Sequence, residues 1–330
     1  MLPDRPSRSA PSPVESDVES DVDSPVEKGP DRPPGAPPGA AERFPKAALA
    51  VLIDDESPLV WRAVRAEFRR LGRRAVPLLW RLARGSDRPR ARGRARGLLA
   101  ERDRERAERR LARFACGDAL DLERGLFLLV RLQEARFDAR PYLKTLDRLA
   151  DRVRKSASAE SGGLAAALCR VLGTELRYGG ALPDYHHPDN LHLHRALERH
   201  RGLPLTLTAI WLFVARRVGL RAAALPLPGH VMLRLYSGPG TEPLIVDPFD
   251  YGRLRTEREC LQYLTRHGLE FRPEWFRDAD DRTMFRRQLA NLARSHELRR
   301  LPRELRGVQR ILGILDESPA RSAPRGARLA

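Results

Sequence analysis

The sequence predicts an α+β protein in which a buried central helix packs against a small antiparallel sheet and further helices flank the pair. Three observations predict this. From Pro204 to Val218 most residues are apolar, the mark of a helix buried on all sides. Short strand-like runs follow at Ala222–Leu225, Val231–Tyr236 and Leu244–Val246, separated by the turn formers Pro228-Gly229 and Ser237-Gly238-Pro239-Gly240. Elsewhere the apolar residues recur mostly at helical spacing.

Composition bounds the setting. The 330 residues suffice for one large domain or two small ones. No run of about 18 apolar residues offers a membrane span, and the first residues lack the apolar region of a secretory signal. Cys116, Cys169 and Cys260 are too few and too scattered for a disulfide framework or a zinc knuckle. These features point to a soluble, reducing, cytoplasmic setting with no membrane partner. The net charge is +17, carried by 57 Arg and 4 Lys, a skew that a GC-rich coding bias produces by itself. The charge is nevertheless uneven. Arg62 to Arg113 holds 19 Arg against 6 acidic residues, which suits nucleic acid, an acidic protein or an anionic surface.

Taken in order, residues 1–43 are rich in Pro, Ser, Asp and Glu, with the imperfect repeat V-E-S-D-V-E-S-D-V-D-S-P-V-E, and are expected to be a disordered acidic tail. Residues 44–115 read as a separate Arg-rich helical segment. Ser57 is a cap and Pro58 a first helical residue; Leu59, Val60, Val64, Phe68 and Leu71 follow at helical spacing, and Gly72 ends the run. Val76, Leu78, Leu79 and Leu82 mark the next helix. The short-helix, turn, short-helix layout with D-x-x-P resembles a HEAT-type repeat. Arg88 to Arg113, with many charges and few apolar residues, reads as an exposed helical face.

Residues 116–315 form the main domain. Leu120 to Leu132, Tyr142 to Val153 and Leu164 to Leu172 are its first three helices. A Gly-rich loop leads into a His-rich stretch, and six of the eight histidines lie between 186 and 230: His186, His187, His192, His194, His200 and His230, which by default face solvent. His192 and His194 fall on different helix faces, and no H-E-x-x-H or Cys–His spacing occurs, so no metal and no cofactor is expected. Asn190 caps the Leu191–His200 helix or fixes its loop. Glu257–Arg266, Met284–Leu298 and Pro302–Leu315 are the closing helices, and 316–330 is a second disordered tail.

The chemistry lies between Tyr185 and Arg253. Gly202-Leu203-Pro204 leads into the buried helix, His230 opens one strand, and Asp247 ends the next. Thiol acyl-transfer enzymes place a nucleophile at a helix start, a base on a following strand and an orienting carboxylate after it. Here the base and carboxylate positions are filled and no cysteine stands at the helix start.

The motifs H-P-D-N-L-H-L, R-H-R-G-L-P-L-T-L, P-G-H-V and D-P-F-D-Y-G, in that order, resemble the SirB-type branch of the transglutaminase-like superfamily. That branch carries D-P-x-N-S-x-L, R-R-G-I-P-I-S-L, P-G-H-F and D-P-F-N-G-G. The resemblance covers roughly 117–315 and implies a papain-like α+β core. It places His230 on the catalytic histidine and Asp247 on its orienting carboxylate. Thr206 falls on the branch's serine, and the superfamily's cysteine is missing from Leu203–Thr206, as is typical of the branch. Thr206, His230 and Asp247 are therefore the candidate catalytic set, retained or relic, with Asn190, Gly202, Pro204 and Gly229 as candidate binding residues. Departures stand at His187, Leu191, Thr206, Val231 and Asp250-Tyr251. Three functions follow as expectations. The first is a non-catalytic binding or regulatory module for a protein or peptide. The second is a hydrolase or acyltransferase using Thr206, His230 and Asp247. The third is a nucleic-acid-associated protein acting through Arg62–Arg113.

Overall fold

Helix starts and stops follow the local chemistry closely at the N-terminal side. The computed structural model describes residues 44–159, 163–182, 185–238 and 240–318. The tail expected over 1–43 and most of that over 316–330 lie outside these. Helix α1 spans Lys46–Leu52 and α2 Pro58–Leu71. Ser57 Oγ accepts from Val60 N, Pro58 takes the first position, and Gly72 closes α2 at φ 55°, a left-handed value that favours glycine. Helix α3 spans Val76–Gly85, and α4 runs unbroken over the 27 residues Pro89–Ala115.

The reading of Arg88–Arg113 as an exposed face needs correction. Helix α4 buries a stripe of Ala91, Ala95, Leu98, Leu99, Ala107 and Leu111. Alanines hide such a stripe from a hydropathy reading because they bury little area, yet they let neighbouring helices approach closely. Several arginines tie the helices together. Arg65 Nη2 bonds Glu101 Oε1 at 2.5 Å, Arg90 Nη2 bonds Glu56 Oε1 at 2.8 Å, and Arg94 Nη1 donates to the carbonyls of Ile53 and Asp55.

Helices α5 (Leu122–Val130), α6 (Arg140–Ala159) and α7 (Gly163–Leu168) follow. The expected helix Leu164–Leu172 does not continue as an α-helix. At Cys169 it widens into a π-helical segment, Cys169–Glu175. Gly173 there is pressed against main chain, since a Cβ would stand 1.9 Å from Tyr251 O.

Helices α8 (Leu193–Arg199) and α9 (Pro204–Val218) come next. Two-residue strands β1 (Gly179–Gly180) and β2 (Arg201–Gly202) pair in parallel. The main sheet is antiparallel in the order β3 (Arg221–Leu225), β4 (Met232–Tyr236), β5 (Leu244–Asp247) and β6 (Arg253–Arg255). Leu233 stands opposite Val246, and Asp247 opposite Arg253. Every residue from Pro204 to Ala215 is buried. Trp211 and Phe213 of α9 share a core with Leu233, Leu235 and Val246 of the sheet and with Leu146 and Val153 of α6, so α9 is enclosed on more than one side. Strands β1, β2 and β6 escaped the sequence reading because two or three residues carry no alternation. Strand β4 begins at Met232, which leaves His230 in the turn before it.

Helices α10 (Glu257–Arg266), α11 (Asp281–Leu298) and α12 (Pro302–Glu317) complete the fold. Helix α11 starts three residues before the expected Met284, because Asp280 caps it through Thr283 N at 2.7 Å. The described residues from Lys46 onward form one compact unit.

Candidate functional site

His230 is placed by a turn and a ring cage. Gly229 takes φ 73°, and His230 N donates to Leu227 O at 3.2 Å. The imidazole meets the edge of the Phe249 ring, with centroids 5.7 Å apart at 87°, and lies 5.7 Å from Tyr263. A Cβ on residue 229 would stand 2.9 Å from the Tyr263 hydroxyl, so glycine serves both the turn and the close packing.

Asp247 closes β5 and caps the 3₁₀ turn Pro248–Asp250. Its Oδ1 accepts from Phe249 N at 3.1 Å and Asp250 N at 3.3 Å. The same oxygen accepts from His230 Nε2 at 2.9 Å, and Oδ2 accepts from Arg255 Nη2 at 3.2 Å. Burial alone would raise the carboxyl above its ordinary value. The hydrogen bond and charge of His230, with the charge and bond of Arg255, outweigh burial and hold it below that value. A carboxylate only accepts, so the His230 proton sits on Nε2. The ring Nδ1 makes no hydrogen bond among the described residues.

Thr206 stands apart from this pair. It is fully buried in the first turn of α9, and its hydroxyl has no hydrogen-bond partner among the described residues. Thr208, two positions on, donates from Oγ1 to Val231 O at 2.9 Å. The structure thus brings His230 and Asp247 together and leaves Thr206 unbonded to either. Burial pushes the Cys169 thiol up to about 11. Burial, with neighbouring acids, does the same to Cys260, whose Sγ lies 3.7 Å from Met232 Sδ.

The candidate binding residues serve several elements. Asn190 is buried; its Nδ2 donates to Tyr185 O at 3.3 Å, its Oδ1 accepts from Arg199 Nη1 at 3.2 Å, and its carbonyl accepts from Leu203 N at 3.0 Å. It ties the loop to the end of α8 and the start of α9. The capping position of α8 belongs to His192, with no side-chain bond. Gly202 sits where a Cβ would meet Ala196 Cβ at 3.2 Å. Pro204 and Gly229 line a small cavity of about 130 Å³. The default of solvent-facing histidines is overturned at His192 and His194, each 3% exposed, with rings 5.7 Å apart. The apolar surroundings contributed by other helices could not be read locally.

Beside His230 and Asp247 opens a cleft of about 760 Å³, walled by Phe249, Tyr251, Arg253 and Tyr263 among others. No residue of α9 lines it among the described residues. Arg255 and Tyr263 were missed by sequence reasoning. The signal was present: Thr256 and Glu259 form a capping box, which starts a helix immediately after Arg255 and aims Tyr263 back at the turn.

Comparison with known proteins matches the stretch that carries this site. Residues 140–290 match the family model described as transglutaminase-like superfamily. A UPF0162 protein of Xylella fastidiosa (strain 9a5c) is 32% identical over 168 residues, covering 49% of this chain and 59% of the relative. F-box only protein 21 of Mus musculus is 31% identical over 109 residues, 31% of this chain and 17% of the relative. A UPF0162 protein of Vibrio cholerae is 24% identical over 165 residues, 48% of this chain and 60% of the relative. The chain spans less than two thirds of the length of these curated relatives. No solved structure matches. The stretch 140–290 that matches the transglutaminase-like superfamily model holds the buried helix and the paired His230 and Asp247.

Proposed function

We propose that this domain is a non-catalytic binding module of the SirB type, which holds a protein or peptide segment in the cleft beside His230 and Asp247. The observation that carries the reading is the position of Thr206. A hydroxyl nucleophile needs a base within hydrogen-bond reach, and this hydroxyl is buried with no hydrogen-bond partner among the described residues. The thiols of Cys169 and Cys260, pushed up to about 11, stay protonated near neutral pH and are poor nucleophiles. The cleft itself is open, and its volume falls in the range of binding sites, about 300–1,000 Å³. The His–Asp pair then serves to hold the turn beside the cleft. The arginines of 62–113 support the nucleic-acid reading less, because several are spent on acids and carbonyls within the fold. For residues 44–115 we keep the HEAT-like reading, on the close packing of α3 with α4.

The test is selection from a displayed peptide library against the full chain, with photo-cross-linking to map bound peptides and mass spectrometry to weigh them. We expect cross-links on the cleft walls and peptides recovered intact. Peptides cleaved or acylated by wild type but not by His230→Ala would return the enzyme reading. Cross-links confined to other surfaces would remove the cleft as the binding site.

A further inference from the structure

The charges around the cleft narrow what it takes up, an inference that rests on the binding reading above. Asp247, Asp250 and Glu259 all line the cleft, and all are engaged. Asp247 accepts from His230 and Arg255. Asp250 accepts from Arg255 Nη2 at 2.8 Å. Glu259 Oε2 accepts from Thr256 N at 2.8 Å and from its hydroxyl at 3.1 Å. The arginines of the same walls are not used equally. Arg255 is held among the acids, with its side chain 22% exposed. The Arg253 side chain is 62% exposed and reaches Asp250 only at 3.8 Å. Arg266 is exposed and makes no hydrogen bond or ion pair among the described residues. The wall therefore offers two exposed cations to outside carboxylates, Arg253 held only loosely by Asp250 and Arg266 unpaired among the described residues.

Apolar anchors stand beside these cations. Leu182 is 74% exposed and Tyr251 37%. Arg177 and Arg201 lie 5.1 and 5.5 Å from the Tyr251 ring centre, which adds positive potential at that end. At the other, His230 Nδ1 is left without a hydrogen bond among the described residues.

We propose that the cleft binds an extended acidic peptide segment, with its carboxylates at Arg253 and Arg266 and an apolar side chain at Leu182 and Tyr251. Acidic residues alternating with apolar ones meet both requirements, because an extended chain presents alternate side chains to opposite sides.

The experiment uses fluorescence anisotropy on the full chain with three short labelled peptides. One alternates aspartate and leucine, one replaces aspartate with asparagine, and one with lysine. Wild type should favour the aspartate peptide over its asparagine counterpart by at least about tenfold at low salt, with the preference shrinking as salt rises. The double variant Arg253→Gln, Arg266→Gln, altered at two exposed positions, should bind the two equally. If wild type binds the asparagine peptide as tightly as the aspartate one, the acidic preference is wrong while the binding reading stands. A preference that survives the double variant places acid recognition elsewhere on the basic surface and overturns the proposal. No binding of any of the three peptides by wild type sinks the proposal and counts against the binding reading as well.

Discussion

His230 Nε2 donates to Asp247 Oδ1 across 2.9 Å, the two residues being joined from a turn and from the end of a neighbouring strand. Arg255 closes the group from the other carboxylate oxygen. Asp247→Asn keeps the size and removes the charge that both partners need. It should cost about 2–3 kcal/mol in urea unfolding, below the figure for a fully buried pair because Arg255 keeps part of its hydration. The pH dependence has a definite sign. The carboxyl of folded Asp247 lies below its ordinary 3.8, so its contribution is complete above that value and is lost as pH falls through the folded one. Wild type should therefore lose more stability than the variant below about pH 4.

Thr206 and Thr208 should respond in opposite ways to the same change. Thr206→Val removes a buried hydroxyl that has no hydrogen-bond partner among the described residues, so stability should hold or rise by up to about 1 kcal/mol. Thr208→Val removes a donor and leaves Val231 O unsatisfied, at a cost of about 1–2 kcal/mol. Equal losses at both positions, measured by chemical denaturation, would show that Thr206 has a partner in solution.

His192 makes a separate pH test. Burial, with the nearby His194 and His296, holds it down to about 3 from 6.5. The unfolded chain takes up the proton near 6.5 and the folded one does not. Stability from this group is full above 6.5 and falls by about 1.4 kcal/mol per pH unit as pH drops toward 3. Unfolding midpoints between pH 7.5 and 5 should slope less in His192→Leu than in wild type. Identical slopes would mean that His192 is solvated in the folded protein.

Gly252 ties the Asp247 turn to the buried helix. Its N donates to Asp247 O at 2.9 Å, its φ is 80°, and a Cβ would fall 2.3 Å from Trp211 Cη2. Gly252→Ala should cost about 2–4 kcal/mol by combining backbone strain with a clash against a fixed ring. The displaced turn should also broaden the His230 ring signals in NMR spectra.

Much of the architecture is legible in the residues themselves. The largely apolar run of Pro204–Val218 determines a buried helix, since no amphipathic placement would hide it. Ser57-Pro58 and Gly219 determine helix ends because caps act on the nearest backbone groups. The P-G-H-V and D-P-F-D-Y-G motifs were enough to pair His230 with Asp247, because a short antiparallel hairpin leaves little freedom in who faces whom. Other features depend on distant chain segments. The burial of His192 and His194, the alanine stripe of α4, the π-helical turn at Cys169 and the grip of Arg255 on Asp247 are each set by residues far away in sequence. The decisive case is Thr206. Sequence placed it at the start of the right helix, but only packing determined that its hydroxyl is sealed in the core, away from the cleft that His230 faces. Side-chain burial is a property of the assembled layers, and no local pattern encodes that a largely apolar helix stays clear of the open site.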